Sequence, residues 1–260
     1  MELGLKGKKA LVTGGTHGIG RAIALALAEE GCDVAVCSRT EERVEKTVKE
    51  IKVKGVKSIG VQGDAMAIAD MDRVIKTVIK EWKTIHILIN NVGGGGRWGK
   101  EDPVQTDDQV WQDVYNKNAL AAVRFTMRCL PYMQKQKWGR VVTIASVYGR
   151  EGGSRPWYNM AKAAEISLMK TLAMNPMYAQ NGITFNSLAP GSILIPDTGW
   201  EEEKKKDPAG FKKIINQLTP LGRLGTPEEV ANVVAFVCSA KASLMNGACI
   251  AVDGCEGRSF

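Results

Sequence analysis

The stretch KKALVTGGTHGIGRAIALALAEEG, Lys8 to Gly31, decides the fold. Its apolar opening, KKALVT, has the length of one strand, and its close, RAIALALAEE, is rich in Ala, Leu and Glu, which favour helix. Between them lies Gly14-Gly15-Thr16-His17-Gly18-Ile19-Gly20. Glycine permits a tight turn and a close approach of backbone to ligand, and a helix starting there offers unpaired N–H groups and its positive dipole end to a pyrophosphate. Strand, glycine turn and helix in this order open a dinucleotide-binding α/β unit. The spacing of Gly14, Gly18 and Gly20 departs from the commoner G-x-G-x-x-G fingerprint.

The same alternation continues along the chain. Strand-like runs recur at KKALVT, DVAVCS, SIGVQG, IHILIN, RVVTIAS, ITFNSLA and CIAVD, with helical stretches near 18–30, 41–54, 69–82, 108–135, 156–180 and 227–239. Continuous apolar strands joined by helices predict an α/β class, a doubly wound parallel sheet covered on both faces. Ligands then bind at the carboxyl ends of the strands. No linker or repeat interrupts the pattern, which predicts a single dinucleotide-binding and catalytic domain over 1–260.

Tyr158 and Lys162 stand four residues apart in WYNMAKAAEISLMKTLA, and Ser146 ends the run RVVTIAS. Positions i and i+4 share a helix face. A free phenol titrates near ~10, and a neighbouring ammonium favours its ionised form. The three residues therefore form a candidate proton-transfer site. Taken alone, the spacing also describes a Tyr and Lys on an ordinary amphipathic surface.

Composition excludes several classes. The formal charge is +7, but Lys and Arg are spread out, and the densest cluster, Glu201 to Lys206, pairs opposite charges at i,i+3 and i,i+4. That is not the basic stripe of a nucleic-acid binder. Attraction for an anionic cofactor or an acidic carrier protein fits the charge. A secretory-type apolar segment and a run of about 18 apolar residues are both missing, which predicts a soluble, cytoplasmic protein without membrane partners. The six cysteines, at 32, 37, 129, 238, 249 and 255, lack C-x-x-C spacing and read as reduced core thiols. His17 and His86, the two histidines, have no metal-ligand spacing, so no metal is expected.

Thr13-Gly-x-x-x-Gly-x-Gly20, Asn90-Asn91-Val92-Gly93, Ser146, Tyr158-x-x-x-Lys162 and Pro190-Gly191, in that order, resemble the short-chain dehydrogenase/reductase family over nearly the whole chain. The ending from Leu221 to Gly254 most resembles its 3-oxoacyl-carrier-protein reductase branch and that branch's carbonyl-reductase and polyol-dehydrogenase relatives. The resemblance implies a seven-stranded Rossmann sheet in the order 3-2-1-4-5-6-7. It also implies interconversion of a carbonyl and a secondary alcohol, with Tyr158 as acid or base, Lys162 holding the nicotinamide ribose and Ser146 bonding the substrate oxygen. By the same resemblance Asn118 opens a helix kink and holds a water relaying protons to Lys162, although Asn116 lies two residues away. Gly14, Thr16, His17, Gly18, Ile19, Gly20, Asn91 and Gly93 then line the cofactor, Asp64 and Ala65 meet its adenine, and Pro190, Gly191 and Ile193 line the nicotinamide. Asp64 has a structural alternative, the capping of the next turn.

Cofactor choice follows from DVAVCSRT. An NAD-binding fold usually carries an acid at the end of its second strand, whereas a 2′-phosphate requires a cation. Ser38 and Arg39 occupy this point, and arginine pairs bidentately with phosphate. NADP(H) is expected over NAD(H). A lid is predicted at about 194–217, carrying Trp200 and Phe211, and a homotetramer is implied by the family, joined through 108–135, 156–180 and the last strand with its neighbouring helix. Two departures stand out: Val92 runs into a glycine loop ending at Trp98-Gly99, and Cys255 replaces the second glycine of Asp-Gly-Gly. The substrate remains open between a 3-oxoacyl thioester on an acidic acyl-carrier protein and a sugar, polyol or other small alcohol. A nucleotide-sensing protein without chemistry is the reading from another class.

Overall fold

A computed structural model gives the architecture, described for residues 1–259. Seven strands alternate with helices in chain order: β1 (Lys9–Thr13), α1 (Gly18–Glu29), β2 (Asp33–Ser38), α2 (Glu41–Lys52), β3 (Ser58–Gln62), α3 (Ile68–Trp82), β4 (Ile87–Asn90), α4 (Asp108–Tyr115), α5 (Ala121–Lys135), β5 (Gly139–Ile144), α6 (Pro156–Ala173), α7 (Pro176–Ala179), β6 (Ile183–Pro190), α8 (Gly199–Lys206), α9 (Pro208–Leu218), α10 (Pro227–Cys238) and β7 (Cys249–Val252). All pairings are parallel, in the order β3-β2-β1-β4-β5-β6-β7. The expected doubly wound sheet is therefore present, and its order reverses between β1 and β4, where such sheets open a ligand crevice.

Burial explains the apolar runs. Every residue of β4, β5 and β6 is buried, because helices cover both faces, whereas the edge strands β3 and β7 are only partly buried. One core joins the sheet to α1, α2 and α10 through Ile23, Leu27, Ile51, Val230 and Val234, and the other joins it to α3, α5 and α6 through Met71, Val78, Phe125, Met133 and Met169. Pro227 starts α10, and Thr226 and Glu229 cap it reciprocally, so its register against α1 is set locally.

The long helix expected over 108–135 is divided. Between α4 and α5 the backbone makes a π turn over Asn116–Leu120, which inserts one residue into the helical ladder. The helix expected over 156–180 likewise ends at Ala173, because Pro176 cannot extend it and opens the short α7 capped by Asn175. Among the described residues, no helix is long and apolar enough to cross a membrane. The six cysteines are free thiols, of which four are buried; Cys255 is exposed and not a core thiol, because the tail turns there with φ +66°.

Candidate active site

Thr13 ties the glycine turn to β4. Its hydroxyl donates to Ile89 O (3.1 Å) and accepts from the amides of Asn91 (3.0 Å) and Val92 (3.2 Å). The Asn91 side chain donates back to Thr13 O and Gly14 O at 3.0 and 3.2 Å. The glycines are required by contact as well as conformation. Gly14 has φ +63°, and a Cβ on Gly20 would collide with both Gly14 O and Asn91 Nδ2.

This turn forms one wall of a cleft of about 330 Å³ that also takes in Thr16, His17, Ser38, Arg39, Asp64, Ala65, Asn91 and Gly93. The predicted adenosine-side residues are thus brought together. Two cations that sequence reasoning missed join them, Arg43 from α2 and Lys117 from the π turn. Arg39, Arg43 and Lys117 face a single carboxylate, Asp64, one oxygen of which accepts from Met66 N (2.9 Å). The turn-capping role weighed for Asp64 is therefore realised, and the residue still lines the cleft. Lys117 reaches the cleft from within the π turn. Burial, and then the nearby Arg39, lower the Lys117 pKa.

A second cleft of about 500 Å³ opens at the carboxyl ends of β5 and β6. It takes in Ile19, the glycine loop to Trp98, Ser146, Tyr148, Ser154, Tyr158, Pro190, Gly191, Ile193 and Trp200. Ser146 and Tyr158, from the end of β5 and the start of α6, share this space. Ser146 caps a short turn, its Oγ accepting from Tyr148 N (3.2 Å). Asn159 braces the far wall by donating to Tyr148 O and Glu151 O, both at 2.7 Å, and accepting from Ser154 N.

Lys162 lies beneath Tyr158, its Nζ 5.7 Å from the phenol ring centroid, and donates to Ile144 O (3.0 Å) and to the carboxylate of Glu165 (3.0 Å). A Cβ on Gly93 would reach within 2.9 Å of Lys162 Nζ and 2.7 Å of Asn118 Oδ1, so this glycine leaves room for both. Asn118 is fully buried, which separates it from the half-buried Asn116. Its amide donates to Gly94 O (2.8 Å) and Val114 O (2.7 Å), and its Oδ1 accepts from Gly94 N (3.0 Å). The side chain therefore fastens the glycine loop to the π turn.

Ile193 is held by a parallel bridge in which Leu194 N donates to Gly225 O and Gly225 N to Ser192 O. This pattern turns the amide and carbonyl of Ile193 to the opposite side. The tail returns to the same place, Glu256 accepting from Ser192 N (2.6 Å) and Ser192 Oγ (3.0 Å). Glu151 similarly accepts from the amides of Arg258 and Ser259 at 2.6 and 2.7 Å. No motif announced these tail contacts. Trp200 and Phe211, from α8 and α9, pack edge to face at 6.2 Å, and Arg97 of the glycine loop lies over Trp200 and 3.3 Å from Glu203.

A glycine turn at the sheet's switch point, beside a cleft that holds Ser146 and Tyr158 with Lys162 buried beneath the phenol, defines a nicotinamide-dinucleotide oxidoreductase. A family profile described as Enoyl-(Acyl carrier protein) reductase matches residues 14–255. Among similar proteins, the 3-oxoacyl-[acyl-carrier-protein] reductase FabG of Staphylococcus epidermidis is 35% identical over 95% of this chain and 98% of its own. That of Aquifex aeolicus is 36% identical over 98% and 99%. The structure of L-sorbose reductase from Gluconobacter frateurii, complexed with NADPH and L-sorbose, superposes with a TM-score of 0.92 at 30% identity, covering all of both chains. The chain belongs to the short-chain dehydrogenase/reductase family, as its motifs predicted, and is an NAD(P)-dependent oxidoreductase that interconverts a carbonyl and an alcohol.

Proposed function

We propose that this protein is an NADP(H)-dependent carbonyl reductase acting on a 3-oxoacyl thioester, with Ser146, Tyr158, Lys162 and Asn118 as its catalytic set. The carrying observation is the convergence of Ser146 and Tyr158 on one cleft, with Lys162 buried beneath the phenol. The adjoining cleft, lined by Gly14, Thr16, Arg39, Asp64 and Gly93, fits the dinucleotide, since Gly14 and Gly93 leave its wall free of side chains and Arg39, Arg43 and Lys117 offer positive charge to a phosphate. Bound there, the nicotinamide supplies hydride exchange with a carbonyl carbon. Tyr158 donates its phenolic proton to the carbonyl oxygen, and in the reverse direction accepts it. The Ser146 hydroxyl donates to the same oxygen and fixes its position. The Lys162 ammonium supports the phenolate. Asn118 keeps the glycine loop against this group.

Arg39, Arg43 and Lys117 against one carboxylate favour a 2′-phosphate and hence NADP(H) over NAD(H). The two FabG relatives support a 3-oxoacyl substrate on an acidic carrier protein. The hydroxyls of Ser154 and Tyr148 in the cleft, with the L-sorbose reductase likeness, support a sugar or polyol as the second reading. A lid at about 194–217 fits the contact of Arg97 with Trp200 and Glu203 across the cleft mouth. A homotetramer fits the exposed apolar residues Tyr115, Met127 and Met160 along α4 to α6, and Phe236 and Leu244 near β7. Six free thiols fit a cytoplasmic setting.

The test follows NADPH absorbance with acetoacetyl-coenzyme A and with a ketohexose. Wild-type protein turns over the thioester faster, and Tyr158→Phe loses about 10²- to 10⁴-fold in rate while still binding NADPH. Retention of a tenth of the wild-type rate removes Tyr158 from the acid role. Preference for the ketohexose replaces the thioester reading with the second one.

A further inference from the structure

Glu165 is an acid where the fold gives no local reason for one. It sits one turn after Lys162 on the inner face of α6 and is 1% exposed. Its Oε2 accepts from Lys162 Nζ at 3.0 Å, and Lys162 itself is 3% exposed. Replacing a buried ion pair by apolar residues of similar volume is often neutral or stabilising, so such a pair is weak evidence of a stability device. Its position against the residue beneath Tyr158 points instead to the chemistry.

Geometry limits what Lys162 can do. One of its three N–H donors goes to Ile144 O and a second to Glu165, and both contacts are shielded from water. The ammonium is therefore pinned at the end of β5, with one N–H left for a further partner. Without the carboxylate, a long flexible side chain would carry an unpaired charge in a dry environment, the case in which a lysine gives up its proton.

Resting on the assignment of Tyr158 and Lys162 above, we propose that Glu165 is a positioning residue for this reaction: its buried carboxylate holds the Lys162 ammonium charged and fixed beneath Tyr158. The other titratable groups acting on the pair are Tyr158, on the same helix, and Lys117, from the π turn. The charge balance agrees. Burial alone disfavours the Lys162 ammonium, but Glu165 and then Tyr158 outweigh it and raise its pKa. Burial raises the Glu165 pKa, and Lys162, by its charge and its hydrogen bond, pulls it back down.

The sign of the effect follows. Removing the carboxylate's charge weakens the Lys162 cation, and the phenolate loses support. The limb of the pH profile for alcohol oxidation then moves to higher pH. The experiment compares wild type, Glu165→Gln and Tyr158→Phe, as purified full-length proteins, by kcat and kcat/KM between pH 6 and 10 with NADP⁺ and the secondary alcohol produced by the wild-type reduction. Glu165→Gln is expected to lose about tenfold in kcat at neutral pH and to recover as pH rises, with the limb displaced by about one unit, a tenfold change in proton affinity. A wild-type profile in Glu165→Gln overturns the proposal, and if Tyr158→Phe is inactive in the same series the assignment of Tyr158 stands. Activity in Tyr158→Phe would instead overturn that assignment, and this proposal with it. Should Glu165→Gln fail to fold, Glu165→Asp decides, because one methylene withdraws the charge by about 1.5 Å. A several-fold lower kcat with an unchanged melting temperature supports the role of Glu165, and wild-type kcat overturns it.

Discussion

Thr13→Val removes a single hydroxyl from beneath the glycine turn and leaves shape almost unchanged. Thr13 is 1% exposed, so valine fills the site without a cavity. What is lost is one hydrogen bond donated to Ile89 O and two accepted from the amides of Asn91 and Val92. At a net ~0.5–1.5 kcal/mol each, with amides left poorly paired, the expected cost is about 2–4 kcal/mol. For a domain of this size that lowers the melting temperature by roughly 5–15 °C. The damage should also reach function, because the Asn91 side chain, which bonds Gly14 O, is steered by the same strand end. NADPH affinity should fall several-fold. Scanning calorimetry and fluorescence titration with NADPH measure the two effects. A melting temperature within 2 °C of wild type, together with unchanged NADPH affinity, would refute the claim that this hydroxyl sets the turn.

Arg39→Ala should reduce the preference for NADPH over NADH by about tenfold, since Lys117 and Arg43 remain and exposed charge is screened; kcat/KM for both coenzymes at fixed ionic strength reads it, and an unchanged ratio counts against Arg39. His86 carries a pH prediction: burial, then Lys8 and Lys9, lower its pKa to about 4, and its Nδ1 accepts from Lys9 N. The folded state resists protonation that the unfolded chain accepts near 6.5, so stability rises with pH between about 4 and 6.5 and is lost on acidification, by about 1–2 kcal/mol after allowance for partial exposure. Urea midpoints for wild type and His86→Gln at pH 4.5 and 7 should show a smaller difference in the variant. Hydrogen exchange over 194–217 should slow when NADP⁺ and a substrate analogue are both bound, and Arg97→Ala should speed it by removing the contacts with Trp200 and Glu203; equal exchange in both states would sink the lid.

The sequence by itself determined the architecture and the chemical pair. Lys8 to Gly31 reads as strand, turn and helix because each signal is local: apolar run, glycine spacing, helix formers. Tyr158 and Lys162 share a face because helical periodicity requires it. The strand order came with the family resemblance, and the parallel sheet agrees with it. Tertiary structure alone decided the rest. Periodicity places Glu165 near Lys162, but only the packing of α6 against the sheet turns that face inward and makes the acid a buried partner. Asn116 and Asn118 are equivalent to a local reading, and the π turn separates them by burying one. Lys117 and Arg43 come to the cleft beside the glycine turn from elements far apart in the chain, with no spacing to mark them. Glu256 meets Ser192 across 64 residues because β7 lies beside β6. Local propensity writes the elements, whereas charge balance and substrate contacts depend on which faces those elements bury.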